Sequence, residues 1–367
     1  MRIAPKYLWS GGCLRENCSL IVEGCRITDI AEAEGTTADL HPHLVMPSLT
    51  DLQVNGGGGI MVNDRTGSDG LRAIAEAHGR LGTGWILPTV ITDAPETLAA
   101  AARAVIEIYR PEDSVLGLHI EGPHISPERR GTHDPRYIRP LEIATVEIVE
   151  DLRRRGIPVM ITLAPERCDT ALLGRLVASG AIVSAGHSAA TAEEAEAAFV
   201  RGVTCVTHLF NAMDPMMSRA PGLLGAAIAA PVHAGIIADG IHVDRRMLSL
   251  AIRGRPRPGL TFAVSDAMAT VGGPSSFHLY GREISVRDNR LVNSEGALAG
   301  AHVDLATCFA NLVLMVGLEL AEACAMVTDT PRRVLGLPSQ HLGRGWPTDR
   351  ILMFDADLRR IAIPAEA

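Results

Sequence analysis

Aromatic residues are scarce in this 367-residue chain, at 4% of the sequence, and no run of Lys or Arg is interleaved with them. That leaves no basis for a nucleic-acid surface, which needs a basic patch with stacking side chains, and the net charge of −8 agrees. Long apolar runs are missing as well. No stretch reaches the roughly 20 apolar residues that span a bilayer, and the opening MRIAPKYLWSGG lacks the apolar core of a signal peptide, so a cytoplasmic protein with no membrane partner is expected. The seven cysteines, Cys13, Cys18, Cys25, Cys168, Cys205, Cys308 and Cys324, are odd in number and include no CxxC pair. They predict mostly buried thiols rather than a disulfide framework or a structural zinc site.

Hydrophobic residues are plentiful, at 47%, and enough to bury a large core with a smaller appendage. Between residues 45 and 270 short apolar runs recur, each followed by a segment of helical periodicity, as in βα units with a parallel sheet. There are eight: Val45–Val54, Trp85–Ile91, Val115–Ile120, Pro158–Leu163, Ala181–Gly186, Val203–Thr207, His233–Ala238 and Leu260–Ser265. Leu141–Arg155, Thr191–Arg201 and Val243–Arg253 read as helices outside them. A doubly wound open sheet fits this alternation too. The balance tips on where the polar residues fall, because nearly every run ends in a group able to do chemistry: Gln53 and Asn55, His119 and Glu121, His187, His208, Asp239 and His242, Asp266. A (β/α)₈ TIM-type barrel gathers its strand C-termini on one face, whereas an open sheet uses a single switch point.

The two ends read differently. Residues 1–44 hold short strands (Leu20–Val22, Arg26–Ile30) with turns at Glu23-Gly24 and Glu34-Gly35, Arg350–Ile363 is again strand-like, and Val303–Leu335 is helical. The expected division is a small β-sandwich from 1–44 plus 340–367, and a barrel over 45–339.

His187 and His208 stand 21 residues apart, about one βα unit, so their imidazoles can project from neighbouring strand ends, and Glu121 ends an earlier strand. Two His and one carboxylate leave a fourth position for water, as in a catalytic zinc-type site. A single His at a strand end is more often an ordinary hydrogen-bonded residue, so the grouping carries the reading. Asp266 follows an apolar strand and suits a general base and acid; its alternative role is a helix N-cap before Ala-Met-Ala.

The segments LQVNGGGG (52–59), HIEGPHIS (119–126), GTHDP (131–135), SAGHS (184–188), THLFNAM (207–213), RAPGLLGA (219–226), ADGIHVD (238–244), VSDAM (264–268) and LAGA (298–301) follow one another along most of the chain. In that order they resemble the N-acetylglucosamine-6-phosphate deacetylase family of the amidohydrolase superfamily. The resemblance implies hydrolysis of the acetamide of an N-acetylhexosamine 6-phosphate, with Glu121, His187 and His208 as metal ligands and Asp266 as acid/base. It further implies that His133 polarises the acetyl carbonyl, that Thr132, Asn211, Ala212, Arg219 and the segment Asp239, Gly240, Ile241 and His242 bind sugar and phosphate, and that Leu298, Ala299 and Gly300 form a closing loop. One divalent metal ion per chain is implied, zinc first, with iron(II) or manganese(II) as alternatives, and so is a homodimer whose partner helps to complete the phosphate site.

Physically, Arg219 and His242 would supply the donors that an acidic chain otherwise lacks for a phosphate. Departures are Gln53 and Asn55 where many amidohydrolases carry His-x-His for a second metal, Ala220 in place of an acidic residue and Ala301 in place of Ser. The first implies a single metal and speaks against a cyclic-amide hydrolase. The others bear on the sugar, so an N-acetylgalactosamine 6-phosphate deacetylase remains a rival, while the joint presence of Glu121, His187, His208 and Asp266 argues against a barrel that has lost its metal and serves as a scaffold.

Overall fold

The computed structural model describes residues 1–32, 37–111, 113–293, 296 and 298–364. Eight parallel strands form its centre, paired in sequence order: β1 (Leu49–Val54), β2 (Thr83–Ile91), β3 (Leu118–Glu121), β4 (Val159–Leu163), β5 (Ile182–Ala185), β6 (Cys205–Val206), β7 (His233–Ile236) and β8 (Thr261–Ala263). All nine residues of β2 are buried, as expected of a strand covered on both faces. The ring closes between β8 and β1 through a parallel bridge of Val54 to Ala267, with Asn55 N and Gly56 N donating to Ala267 O at 2.9 and 3.0 Å. Asp51, inside this seam, accepts from Ser265 N and from Gln53 N. Burial pushes its carboxyl up to about 7, against those hydrogen bonds.

Seven helices follow the strands: α1 (Gly67–Arg80), α2 (Pro95–Ile108), α3 (Ile143–Arg154), α4 (Thr170–Ala178), α5 (Ala192–Val200), α6 (Gly222–Ala229) and α7 (Arg245–Arg253). Local chemistry sets their starts. Thr191 and Glu194 form a capping box at α5, while Asp169 and Asp244 cap α4 and α7. Three more helices, α8 (Leu305–Leu314), α9 (Leu320–Val327) and α10 (Asp329–Val334), complete the barrel's outer layer.

Both ends of the chain build small sheets. Arg2–Ile3, Cys18–Glu23 and Arg26–Glu32 form one, and Tyr7–Ser10, Cys13–Arg15, Leu44–Pro47, Ile351–Phe354 and Arg360–Ile361 the other. They share an apolar core of Ile3, Leu8, Leu20, Val22, Ile27, Val45, Ile351 and Met353. The expected turn at Glu34-Gly35 lies outside the described residues. The run Val45–Val54 is two strands rather than one: Pro47 ends the terminal ladder, Ser48 N donates to Arg350 O, and Leu49 N opens the barrel ladder on Gly82 O.

One element was not anticipated. After β8 the chain makes an antiparallel three-stranded sheet, Ser276–Leu279, Arg282–Arg287 and Arg290–Asn293, whose apolar face covers Met61, Ile91 and Met268 at the C-terminal mouth of the barrel. Its two tight turns, Tyr280-Gly281 and Asp288-Asn289, have positive φ at both residues, the geometry that two-residue hairpins require.

Candidate active site

Four chemistry-bearing side chains converge at the C-terminal mouth. Glu121 is the last residue of β3, His187 and His208 lie two residues past β5 and β6, and Asp266 lies three past β8. The three that leave their strands have φ of 48, 26 and 52°, left-handed values that turn each side chain inward from the strand direction. Asp and His tolerate that region better than most residues, and strain of this kind collects at functional sites. The N-cap alternative for Asp266 does not hold, since no helix starts there and Ala267 instead bridges β1.

The distances describe a cluster rich in acceptors. Glu121 Oε1 lies 3.2 Å from His187 Nε2 and 3.0 Å from His208 Nε2, and the two imidazole nitrogens are 3.1 Å apart. His187 Nδ1 is 2.9 Å from Arg129 O, a partner that can only accept, so Nδ1 carries a proton and Nε2 is the ring atom turned to Glu121. Glu121 Oε1 and the two Nε2 atoms can all act as acceptors, and at this spacing they need a shared proton or a cation between them. Burial would push the Glu121 carboxyl up, but the hydrogen bonds and charges of both imidazoles outweigh it and hold it well below its ordinary value. For His208, burial works against charge, yet the bond to Glu121 and its negative charge raise the pKa.

Gln53 and Asn55, at the C-terminal end of β1, both turn amide N–H groups to the carboxylates. Gln53 Nε2 bridges Glu121 Oε1 at 2.9 Å and Asp266 Oδ1 at 3.0 Å, while Asn55 Nδ2 donates to the same Oδ1 at 2.7 Å. Two donors therefore anchor Oδ1 and leave Oδ2 for other chemistry. Burial and the charge of Glu121 push Asp266 up to about 6, although His208 and the Asn55 hydrogen bond pull it down.

His133 enters from the loop after β3. Its ring packs on His187 with centroids 4.4 Å apart, one of its nitrogens lies within 4.8 Å of the ligand atoms of Glu121 and His187, and Nδ1 is 2.6 Å from Thr92 Oγ1. Burial, then the neighbouring His187, holds its pKa well below the usual value, so the ring is neutral. Thr92 is fixed in turn, because Tyr280 in the first tight turn of the inserted sheet donates its hydroxyl to Thr92 O. Gly122 makes room: at φ +79°, a Cβ there would sit 2.2 Å from Thr92 Oγ1.

A cleft of about 180 Å³ joins these groups and is lined by most of the expected residues: Thr132, His133, Asn211, Ala212, His242, Leu298 and Gly300, beside Glu121, His187, His208 and Asp266. Asp239 stands behind the cleft. Its Oδ2 is 2.6 Å from His242 Nδ1, and its Oδ1 accepts from the N–H groups of Ile241 and His242. Gly240 and Ile241 form that turn, and Ala299 is buried beneath its loop, so none of these three lines the cleft. Arg219 is not brought to the cleft by its own chain. It is exposed on the loop before α6, in a separate surface depression with Thr191, Asp214, Met217 and Pro221. The sequence reading missed Ile91, Gly131 and Met268 in the cleft lining, and Thr92 and the Arg129 carbonyl behind it.

The amidohydrolase family pattern matches residues 44–357. Over 363 residues the chain is 36% identical to N-acetylgalactosamine-6-phosphate deacetylase of Shewanella sp. (strain ANA-3), covering 96% of this chain and 91% of the relative. It is also 36% identical over 307 residues to N-acetylglucosamine-6-phosphate deacetylase of Haemophilus influenzae, covering 82% and 79%. Among solved structures it is similar to N-acetylglucosamine-6-phosphate deacetylase from Pasteurella multocida, with a TM-score of 0.86, 30% identity and coverage of 98% and 96%. A mutant of the Mycobacterium smegmatis enzyme in complex with N-acetyl-D-glucosamine-6-phosphate gives 0.85 at 27% identity, with the same coverage.

Proposed function

The chain belongs to the amidohydrolase family, and from that premise we propose that it hydrolyses the acetamide of N-acetyl-D-glucosamine 6-phosphate to D-glucosamine 6-phosphate and acetate. The observation that carries this reading is the cluster of Glu121 Oε1 with two imidazole Nε2 atoms at 3.0–3.2 Å, next to Asp266 with one anchored oxygen. Those three atoms suit one divalent cation, zinc or else iron(II) or manganese(II), held by Glu121, His187 and His208. Such a cation, when bound, supplies Lewis acidity that acidifies water and polarises an amide carbonyl. The Gln53 and Asn55 N–H groups already directed at the carboxylates support a single cation, because an amide N–H offers no lone pair.

The chain's own groups carry the proton chemistry. Asp266 Oδ2 takes the proton of the attacking water and returns it to the amine nitrogen as the C–N bond breaks, while Oδ1 stays anchored. The Thr92 hydroxyl can donate to His133 Nδ1 at 2.6 Å; the neutral ring would then bear its proton on Nε2 and offer it as a hydrogen bond to the acyl oxygen as negative charge develops there. His242, whose Nδ1–H is held by the Asp239 carboxylate, faces the cleft and in its imidazolium form turns a second N–H to the phosphate, with Asn211 and Ala212 beside the sugar. Arg219 fits only as a residue lent to the cleft of a second copy in a homodimer. The 49% and 62% exposure of Met216 and Met217 on the same loop supports that arrangement.

The equal identity to a galactosamine-type relative favours a second reading, the 4-epimeric sugar phosphate. Acetate release from the gluco and galacto substrates, each with and without the 6-phosphate, tests both. Higher kcat/KM for the phosphorylated gluco sugar is expected. Indifference to the phosphate would remove the substrate assignment and leave only amide hydrolysis.

A further inference from the structure

Two cleft residues have no part in the chemistry above. Ile91 ends β2 and Met268 follows Asp266; both line the cleft and both are almost fully buried, at 3% and 1% exposure. Their place around the barrel is informative. Glu121, His187 and His208 come from β3, β5 and β6, and the groups read as sugar-facing, Asn211, Ala212 and His242, follow β6 and β7. Ile91 and Met268 stand on the remaining arc, at β2 and beyond β8, on either side of the β8–β1 seam. The amide carbonyl carbon bears its nitrogen and its alkyl group on different sides. With the amine-bearing sugar directed to the β6–β7 arc, the alkyl group is directed to the β8–β2 arc, where Ile91 and Met268 supply the hydrocarbon of a wall shared with Asn55 and Asp266.

We propose that Ile91 and Met268 form the acyl-recognition subsite, and that the Met268 side chain determines which acyl lengths the enzyme accepts by closing the far end of that subsite. This rests on the deacetylase reading. The wall is firmly backed: Ile91 and Met268 share one apolar cluster with Met61, Phe277, Leu279, Ile284 and Leu291, so the inserted three-stranded sheet presses them toward the cleft. Above, the backbone of Gly300 lies directly on Met268. A Cβ at Gly300 would be 2.6 Å from both Cγ and Cε of the methionine, which leaves the thioether no room to swing toward the loop. A longer acyl chain would have to displace packed side chains, which costs more than filling empty space.

The test is a series of N-acyl glucosamine 6-phosphates, acetyl, propanoyl and butanoyl, assayed by release of the free amine. In a close-fitting apolar pocket each methylene changes kcat/KM by about 10- to 200-fold. The wild-type enzyme is expected to lose at least about tenfold per added methylene, and Met268→Ala to lower the acetyl-to-butanoyl preference by about tenfold or more. Met268→Leu, which nearly conserves volume, is expected to fold as wild type and keep acetyl preference. Ile91→Ala opens the same wall from the other side and should relax the preference independently if Met268→Ala does not fold. A flat acyl profile in the wild type, or preferences unmoved in the folded wall variants, overturns the proposal while leaving deacetylation standing. Failure to release amine from any member of the series overturns both.

Discussion

Asn55→Ala removes the shorter of the two donors that anchor Asp266, the 2.7 Å bond from Nδ2 to Oδ1, and leaves the 3.0 Å bond from Gln53. A hydrogen bond to an ionised group is worth about 1.5–3 kcal/mol net. At 1.36 kcal/mol per pH unit, its loss raises the carboxyl pKa by roughly one to two pH units. Asp266 already stands at about 6, so the acid limb of kcat/KM should move from near that value to roughly pH 7–8 in the variant. Activity at pH 6.5 should then fall about three- to twenty-five-fold, and the deficit should close above about pH 9, where both enzymes hold Asp266 as the base. The assay is amine release at limiting substrate from pH 5 to 10, with metal content measured in parallel. An equal loss at every pH, with the limb unmoved, would show that Asn55 merely supports the end of β1 and that the amides do not set the base.

His187→Ala and His208→Ala should each lose bound metal together with at least about 10²-fold of kcat, and full metal occupancy in both would place the cation elsewhere. His242→Ala should raise KM for the 6-phosphate substrate and lower kcat/KM about ten- to a hundredfold, with little effect on the unphosphorylated sugar; Arg219→Ala should do the same only if copies associate, so sedimentation of the protein accompanies the kinetics. For Asp51, burial pushes the folded carboxyl to about 7 while the unfolded value stays near 3.9. Between those values the folded chain keeps a proton that the unfolded chain releases, so this group's contribution to stability is present below about pH 4 and lost as pH rises through 7. Asp51→Asn should therefore gain in Tm relative to wild type from pH 5 to pH 8, and a difference independent of pH would refute the assignment.

Periodicity made the barrel legible. Eight apolar runs with polar ends lie close to the eight strands, because a parallel strand buried on both faces has to be apolar throughout and its chemistry has to wait for the C-terminal end. The inserted sheet was also written in the chain, as Phe277, Leu279, Ile284, Val286 and Leu291 alternate around Tyr280-Gly281 and Asp288-Asn289. Neither turn carries the Asn-Gly or Asp-Gly pair that marks such hairpins most strongly, so that signal was faint. The two-strand nature of 44–54 hangs on Pro47 alone among local features.

By itself, then, the sequence determined which residue types stand at the strand ends, the spacing of His187 and His208, and the amides at positions 53 and 55, since these follow from local order along βα units. Tertiary structure alone decided what those amides touch, because Gln53 meets Asp266 across 213 positions only when the β8–β1 seam closes. It decided that the backbone carbonyl of Arg129 selects the tautomer of His187, which no side-chain pattern announces. It also separated Arg219 from His242, two residues that a linear reading had joined for one phosphate. The loop after β6 gives Asn211 and Ala212 to the cleft that His242 lines but carries Arg219 on to a separate depression, which the order of residues along the chain does not announce.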